Sequence, residues 1–185
     1  ILTQTTFGPT EAEIQEVMSK GYAKWIDDQL ALPATSHRAY WDAADAAIKA
    51  ADATKSAGQG EVLQRFWKQA IGGNDQLRQR MSYALSQVMV ISMQDNSVGD
   101  NPRGVAGYMD MLGDKGLGNY RDLLQGVSTH PMMGYYLTFL RNQKEDLASG
   151  RVPDQNYARE VMQLFSVGLV KLNPDGTVFK DAQGN

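Results

Sequence analysis

No cysteine occurs in the 185 residues. Disulfides, thiolate zinc sites, iron–sulfur clusters and cysteine nucleophiles are therefore excluded from this stretch. Histidine is nearly as scarce, with two, His37 and His130. A metal site built from several histidines is out of reach, and a mixed site would have to recruit carboxylates from distant segments. No metal and no other cofactor is expected. Long apolar runs are missing too. The longest patch, Val88-Met89-Val90-Ile91, falls far short of the roughly 18–20 residues that cross a bilayer, so no membrane span is expected. An excess of one charge is also lacking, with 18 basic against 21 acidic residues and a formal net charge of −3. No basic stripe tracks phosphates, which sets nucleic acid aside as a partner. No glycine-rich phosphate loop follows a strand, and no Gly-x-Ser-x-Gly elbow appears.

The chain does carry a series of helix signals. Hydrophobic residues make up 42% of it, enough for a packed core. Thr10-Glu11-Ala12-Glu13 reads as a capping box, with Gly21 as the stop of that helix. A second helix is predicted from Tyr22 to Leu30, closed by Pro33, and a third is capped by Ser36 and runs through Ala50. Further helices are predicted at Glu61–Ile71, from Asn74 or Asp75 to about Met93, at Val105–Leu112, Tyr120–Ser128 and Pro131–Leu140, and from about Pro153 or Asp154 to Val167. The helix reaching Met93 carries a stripe of Leu77, Met81, Ala84, Leu85 and Val88. Its second half is apolar almost all round, so it is placed at the centre of the core. Trp25, Trp41 and Trp67 are expected to point inward. The fold class is therefore mainly all-α, a bundle of about eight helices.

Asn173-Pro174-Asp175-Gly176 before Thr177-Val178-Phe179, with a second turn at Gln183-Gly184-Asn185, predicts a short β wing. The expected organisation is a helical domain over 1–170, followed by a β-turn or hairpin segment over 171–185. Ile1 and the polar close at Asn185 suggest that the chain continues at both ends.

Candidate chemistry concentrates in Asn156-Tyr157-Ala158-Arg159-Glu160-Val161-Met162-Gln163-Leu164-Phe165. At helical spacing Tyr157, Val161, Leu164, Phe165 and Gly168 share one face, and Asn156, Arg159, Glu160 and Gln163 the opposite one. The polar stripe is a candidate ligand site, or places Glu160 as a general base. The plainer reading is the wet side of an amphipathic helix. Arg80 on the long helix is a candidate partner for Glu160, as an ion pair or an anion site, the structural pair being preferred. His130 reads as a hydrogen bonder at a helix start, and the Asn142–Asp146 run as a solvated loop. The nine methionines read as core filling.

Leu2-Thr3-Gln4-Thr5-Thr6-Phe7-Gly8-Pro9-Thr10, Leu77-Arg78-Gln79-Arg80, Ala84-Leu85-Ser86-Gln87, Asn119-Tyr120-Arg121-Asp122-Leu123-Leu124 and Asn156–Phe165 together resemble a bacterial family known as domain of unknown function 1800. The resemblance is in register over essentially the whole chain. It implies a mainly helical fold, longer relatives with a further C-terminal portion, export to the periplasm or beyond, and company with a second exported family related to sulfatases and encoded nearby. It supplies no established catalytic residues. Family members with Glu and His at the positions of Gln163 and Phe165 would invite a metal hypothesis, of which this chain keeps only Glu160.

Three functions stand as expectations. The first is a non-catalytic helical module for binding or assembly in an exported bacterial protein. The second is a hydrolase-like enzyme whose site, completed by a C-terminal portion, uses Glu160, Arg159, Asn156 and Arg80. The third is a polymer- or polysaccharide-binding module using exposed aromatics.

Overall fold

The computed structural model describes residues 1–181, 183 and 184. Among them the chain is mostly helical and divides into two compact units, Ile1–Tyr136 and Leu137–Asn185.

Unit 1 contains α1 (Leu2–Thr5), α2 (Glu11–Lys20), α3 (Tyr22–Ala31), α4 (His37–Ala51), α5 (Gln59–Gly72), α6 (Gln76–Val88), α7 (Asn96–Gly99), α8 (Pro102–Lys115), α9 (Tyr120–Thr129) and α10 (Pro131–Tyr136). Local chemistry sets most of these boundaries. The Glu13 amide donates to the Thr10 hydroxyl at 3.2 Å, and the Thr10 amide donates to the Glu13 carboxylate at 2.7 Å, the reciprocal pairing of a capping box. Gly21, at φ 80°, ends α2 and starts α3, a conformation that costs glycine little. Ser36 caps α4 by accepting from the Ala39 amide at 3.0 Å. Pro131 sits at the first position of α10, where its missing N–H costs nothing. Asp95 caps the short α7 through the Val98 amide.

Among the described residues, two apolar clusters hold unit 1. One joins Leu2, Val17 and Trp25, with Leu77 packed against it. The other joins Trp41, Val62, Val98, Val105, Ala106 and Met132. Tyr108, Leu112 and Met133 are sealed as well. Arg78 ties helix ends to one another. Its Nε donates to the Leu32 carbonyl at 3.2 Å, its Nη2 to Leu30 at 3.1 Å and its Nη1 to Gly113 at 3.0 Å. The guanidinium thus serves carbonyls at the C-terminal ends of α3 and α8, where a cation complements the helix dipole.

The expected central helix differs in two respects. It stops at Val88 rather than Met93, and Val88 and Val90 are exposed. More importantly, α6 buries Gln76, Gln79 and Ser82, while Leu77, Met81 and Leu85 are only partly buried and Ala84 is exposed. The inversion has a physical cause, since Gln79 meets a buried carboxylate, Asp75, and a buried imidazole, His37, while Gln76 donates to the Gln69 and Gly73 carbonyls and accepts from the Phe7 amide. Trp25 and Trp41 are inward, but Trp67 is 59% exposed, packed edge-on to Phe66 at 5.3 Å.

Unit 2 begins with a loop in which two non-glycine residues, Thr138 and Arg141, adopt left-handed backbone at φ 61° and 64°. The loop is latched to the segment before the last helix. Asn142 Nδ2 donates to the Asp154 carbonyl at 2.8 Å, the Asp154 amide donates to Asn142 Oδ1 at 2.9 Å, and Thr138 Oγ1 donates to Asp154 Oδ2 at 2.6 Å. Between them Asp146 and Arg151 form a single antiparallel bridge. Then come α11 (Asn156–Met162) and one π-helical turn, Gln163–Val167, ended by Gly168 at φ 78°. The expected β wing does not form. The described tail has one isolated bridge, Leu172 to Val178, around an Asn173–Gly176 turn in which Asp175 accepts from the Thr177 amide. Beyond the turn one further cross-strand bond forms, the Phe179 amide donating to the Lys171 carbonyl at 2.8 Å, too little to make strands. Ala182 and Asn185 lie outside the described residues.

Candidate functional site

The residues singled out by sequence fall into both units. In unit 2, α11 carries Asn156 and Glu160 half-buried and Arg159 exposed. Its inward side is a small aromatic group. Phe139 and Tyr157 have ring centroids 4.2 Å apart, and Phe165 meets Tyr157 edge-on at 6.2 Å. The single-face reading fails at Leu164, which is 54% exposed. The cause is the π turn, in which the Gly168 amide donates to the Gln163 carbonyl five residues back. An extra residue in one turn rotates the rest of the helix by about 100°, so Leu164 leaves the face that Tyr157 and Phe165 share. Glu160 also departs from a purely wet stripe. Its Oε2 is sealed from solvent and has no hydrogen-bond partner among the described residues.

Arg80 belongs to unit 1. Its guanidinium lies 5.5 Å from the Phe7 ring centroid and 5.7 Å from that of Tyr83. The charge rests on two aromatic faces rather than on a carboxylate. His130 does what its position suggested. Its Nδ1 accepts from the Met132 amide at 3.3 Å at the start of α10, and burial lowers its pKa. Among the described residues no group of three or more His, Cys, Asp or Glu side chains is placed to hold a metal ion.

The densest polar constellation lies inside unit 1, built around His37, Asp75, Gln79 and Asp110. Asp75, 2% exposed at the head of α6, accepts from the Thr35 amide at 2.8 Å, from Gln79 Nε2 at 2.9 Å and from Gln69 Nε2. Burial pushes its carboxyl pKa up, but the donors from Gln79 and Thr35 outweigh that and hold it below the ordinary value. Gln79 passes the network on, its Oε1 lying 3.0 Å from His37 Nε2. With the Gln79 amide nitrogen committed to Asp75, its oxygen faces the ring, so Nε2 carries the proton. His37 is 2% exposed, and burial is the chief reason its pKa falls below 6.5. The imidazole is therefore neutral and its Nδ1 is a bare acceptor. That nitrogen has no partner, nor does the buried Nε of Arg65. Asp110, from α8, closes the far side. It accepts from the His37 amide at 2.5 Å, the Arg38 amide at 3.1 Å and the Ser36 hydroxyl at 2.6 Å. A carboxylate from one helix thus covers the positive N-terminus of another.

The family model for the protein of unknown function DUF1800 matches residues 1–182. The chain belongs to this family. No curated protein and no solved structure matches it. Membership in DUF1800 carries no reaction with it. The network of His37, Asp75, Gln79 and Asp110 was not found by sequence reasoning as a unit. His37 was noticed for its rarity and Asp75 as a cap, but their meeting depends on contacts 40 or more residues apart in sequence.

Proposed function

We propose that this DUF1800 chain is a non-catalytic helical module of an exported bacterial protein, and that unit 2 docks an apolar surface of another exported protein. One observation carries the reading. Between Met162 and Leu172, six large apolar side chains (Met162, Leu164, Val167, Leu169, Val170 and Leu172) are each at least half exposed. Apolar exposure concentrated in so short a stretch marks an interaction surface. The charge balance points to protein rather than lipid. From Leu137 onward the chain has six basic and six acidic residues, whereas a surface that adheres to anionic lipid carries a basic excess.

A photo-activatable amino acid at position 164, and separately at 167, in the full-length protein in its own cells tests the proposal. One discrete adduct containing the same second protein is expected from both positions. Labelling scattered over many proteins, or confined to the chain itself, refutes it.

A catalytic reading is favoured by the dry, unpaired Oε2 of Glu160, with Arg159 and Asn156 on the same short helix. A general base must come within hydrogen-bond reach of the proton it takes, so this reading requires a substrate that reaches the sealed oxygen. The polymer-binding reading is left with Trp67 as its only exposed tryptophan, because Trp25 and Trp41 are buried.

A further inference from the structure

The apolar stripe that α6 leaves partly open lines a pocket of about 300 Å³ in unit 1, at the small end of the range for ligand sites. Leu77, Arg80, Met81 and Ala84 recur at the spacing of one helix face and form one side of it, with Tyr83 beside them. Gln4 and Thr5 of α1 form the other side. Arg80 is the charged residue of this wall, and no acid lines it. The guanidinium lies against the Tyr83 ring, itself part of the wall, so the charge sits at the pocket. Arg80 is only partly exposed, yet the ion pairs of the described residues use other cations. Its unpaired nitrogens are open to solvent, since the sealed unpaired atoms among the described residues belong to His37, Arg65 and Glu160.

We infer that this pocket binds a small monocarboxylate with an apolar body, its two oxygens held by the N–H fork of Arg80 and its body laid along Leu77, Met81 and Ala84. Three features narrow the class. A planar carboxylate matches the guanidinium fork with two parallel hydrogen bonds. The Phe7 and Tyr83 rings take up the flat side of the guanidinium and leave the N–H edges, which lie in its plane, for that partner. A single guanidinium balances one negative charge, so a dianionic phosphate would be left half unpaired. The apolar wall favours a carbon body over a small hydrated anion. The polar groups at the mouth do not oppose it, because the Thr5 hydroxyl already donates to the Ile1 carbonyl and the exposed Gln4 amide can add a donor.

The test uses p-toluate and p-toluamide, which share shape and differ in charge. Protein labelled with ¹⁵N-arginine is titrated with each, and the Arg80 Nε–H resonance, assigned by its loss in Arg80→Lys, is followed by ¹H–¹⁵N correlation. Expected are saturable p-toluate binding about tenfold tighter than p-toluamide and a shift of the Arg80 resonance as p-toluate saturates. Arg80→Lys keeps the charge but not the fork and should weaken p-toluate by about tenfold. Ala84→Phe, at an exposed position of the wall, fills the pocket with Arg80 intact and should weaken p-toluate by about tenfold at an unchanged melting temperature. Equal affinity for the two probes, no saturable binding, binding that leaves the Arg80 resonance unmoved, or unchanged affinity in either variant each overturns the inference.

Discussion

Replacing Asp75 tests the claim that unit 1 is organised around a buried polar network and not only around its apolar clusters. The carboxylate is 2% exposed and accepts from the Thr35 amide and from the side-chain amides of Gln69 and Gln79. Asp75→Ala removes all three. A hydrogen bond to a charged group contributes about 1.5–3 kcal/mol. The three are not additive, because Gln69 keeps Thr35 Oγ1 at 3.1 Å and Gln79 keeps His37. A net loss of about 4 kcal/mol follows, and at about 2–4 °C per kcal/mol for a chain of this size the melting temperature falls by about 8–16 °C. Asp75→Asn should cost less, about 1–2 kcal/mol. The asparagine oxygen can keep Thr35 and Gln79, and Gln69 can turn its amide to accept from the new NH₂ while the Thr35 hydroxyl reverses its role. Thermal unfolding by circular dichroism and tryptophan fluorescence reads both variants. A melting temperature for Asp75→Ala within about 2 °C of the parent, or an Asp75→Asn as damaging as Asp75→Ala, refutes the reasoning.

Both histidines have pKa values lowered by burial. The unfolded state therefore takes up protons below about pH 6.5 that the folded state refuses, and stability falls as the medium is taken from pH 7.5 to 5.5; urea midpoints should show this loss shrinking in a His37→Gln, His130→Gln double variant. Asp75 acts in a lower window. Its folded pKa is depressed, so its contribution is complete above the ordinary carboxylate value and is lost as pH falls through that value toward the folded one, and an acid titration of Asp75→Asn should lack that component. Trp25→Ala, at a 2% exposed site, should cost about 3–5 kcal/mol, whereas Trp67→Ala, at a 59% exposed one, should cost under about 1 kcal/mol; comparable melting temperatures for the two would contradict the burial described. Glu160→Gln neutralises a carboxylate whose Oε2 is dry and unpaired, so calorimetry should find stability unchanged or raised by up to about 1 kcal/mol, and a clear loss would reveal a partner for the charge.

The helical class and most element boundaries were legible because they depend on neighbours in sequence. Thr10, Ser36 and Gly21 act on backbone within four residues, and Pro131 acts on its own φ. Periodicity misled where its premise fails. A stripe search assumes that the polar side of a helix meets water, and in α6 that side meets protein instead, Gln79 bonding Asp75 and His37, and Gln76 and Ser82 bonding backbone groups. No local signal reveals the distant donors that make burying Gln76 and Gln79 tolerable. The π turn after Met162 was hidden for a related reason, since one inserted residue per turn leaves composition unchanged while moving Leu164 off its expected face. Of the candidate site, Glu160 was found, but its dry oxygen was not, because seclusion of a single atom depends on tertiary packing.

Arg78 ends as more than a fastener. One planar group with its N–H bonds aimed at three carbonyls on two helices has no slack. A lysine carries the same charge but cannot reach three diverging oxygens from one point. Drawing the end of α3 away would break the bonds to Leu30 and Leu32, or, if the guanidinium followed them, the bond to Gly113, so one side chain couples the ends of two helices that four others separate along the chain.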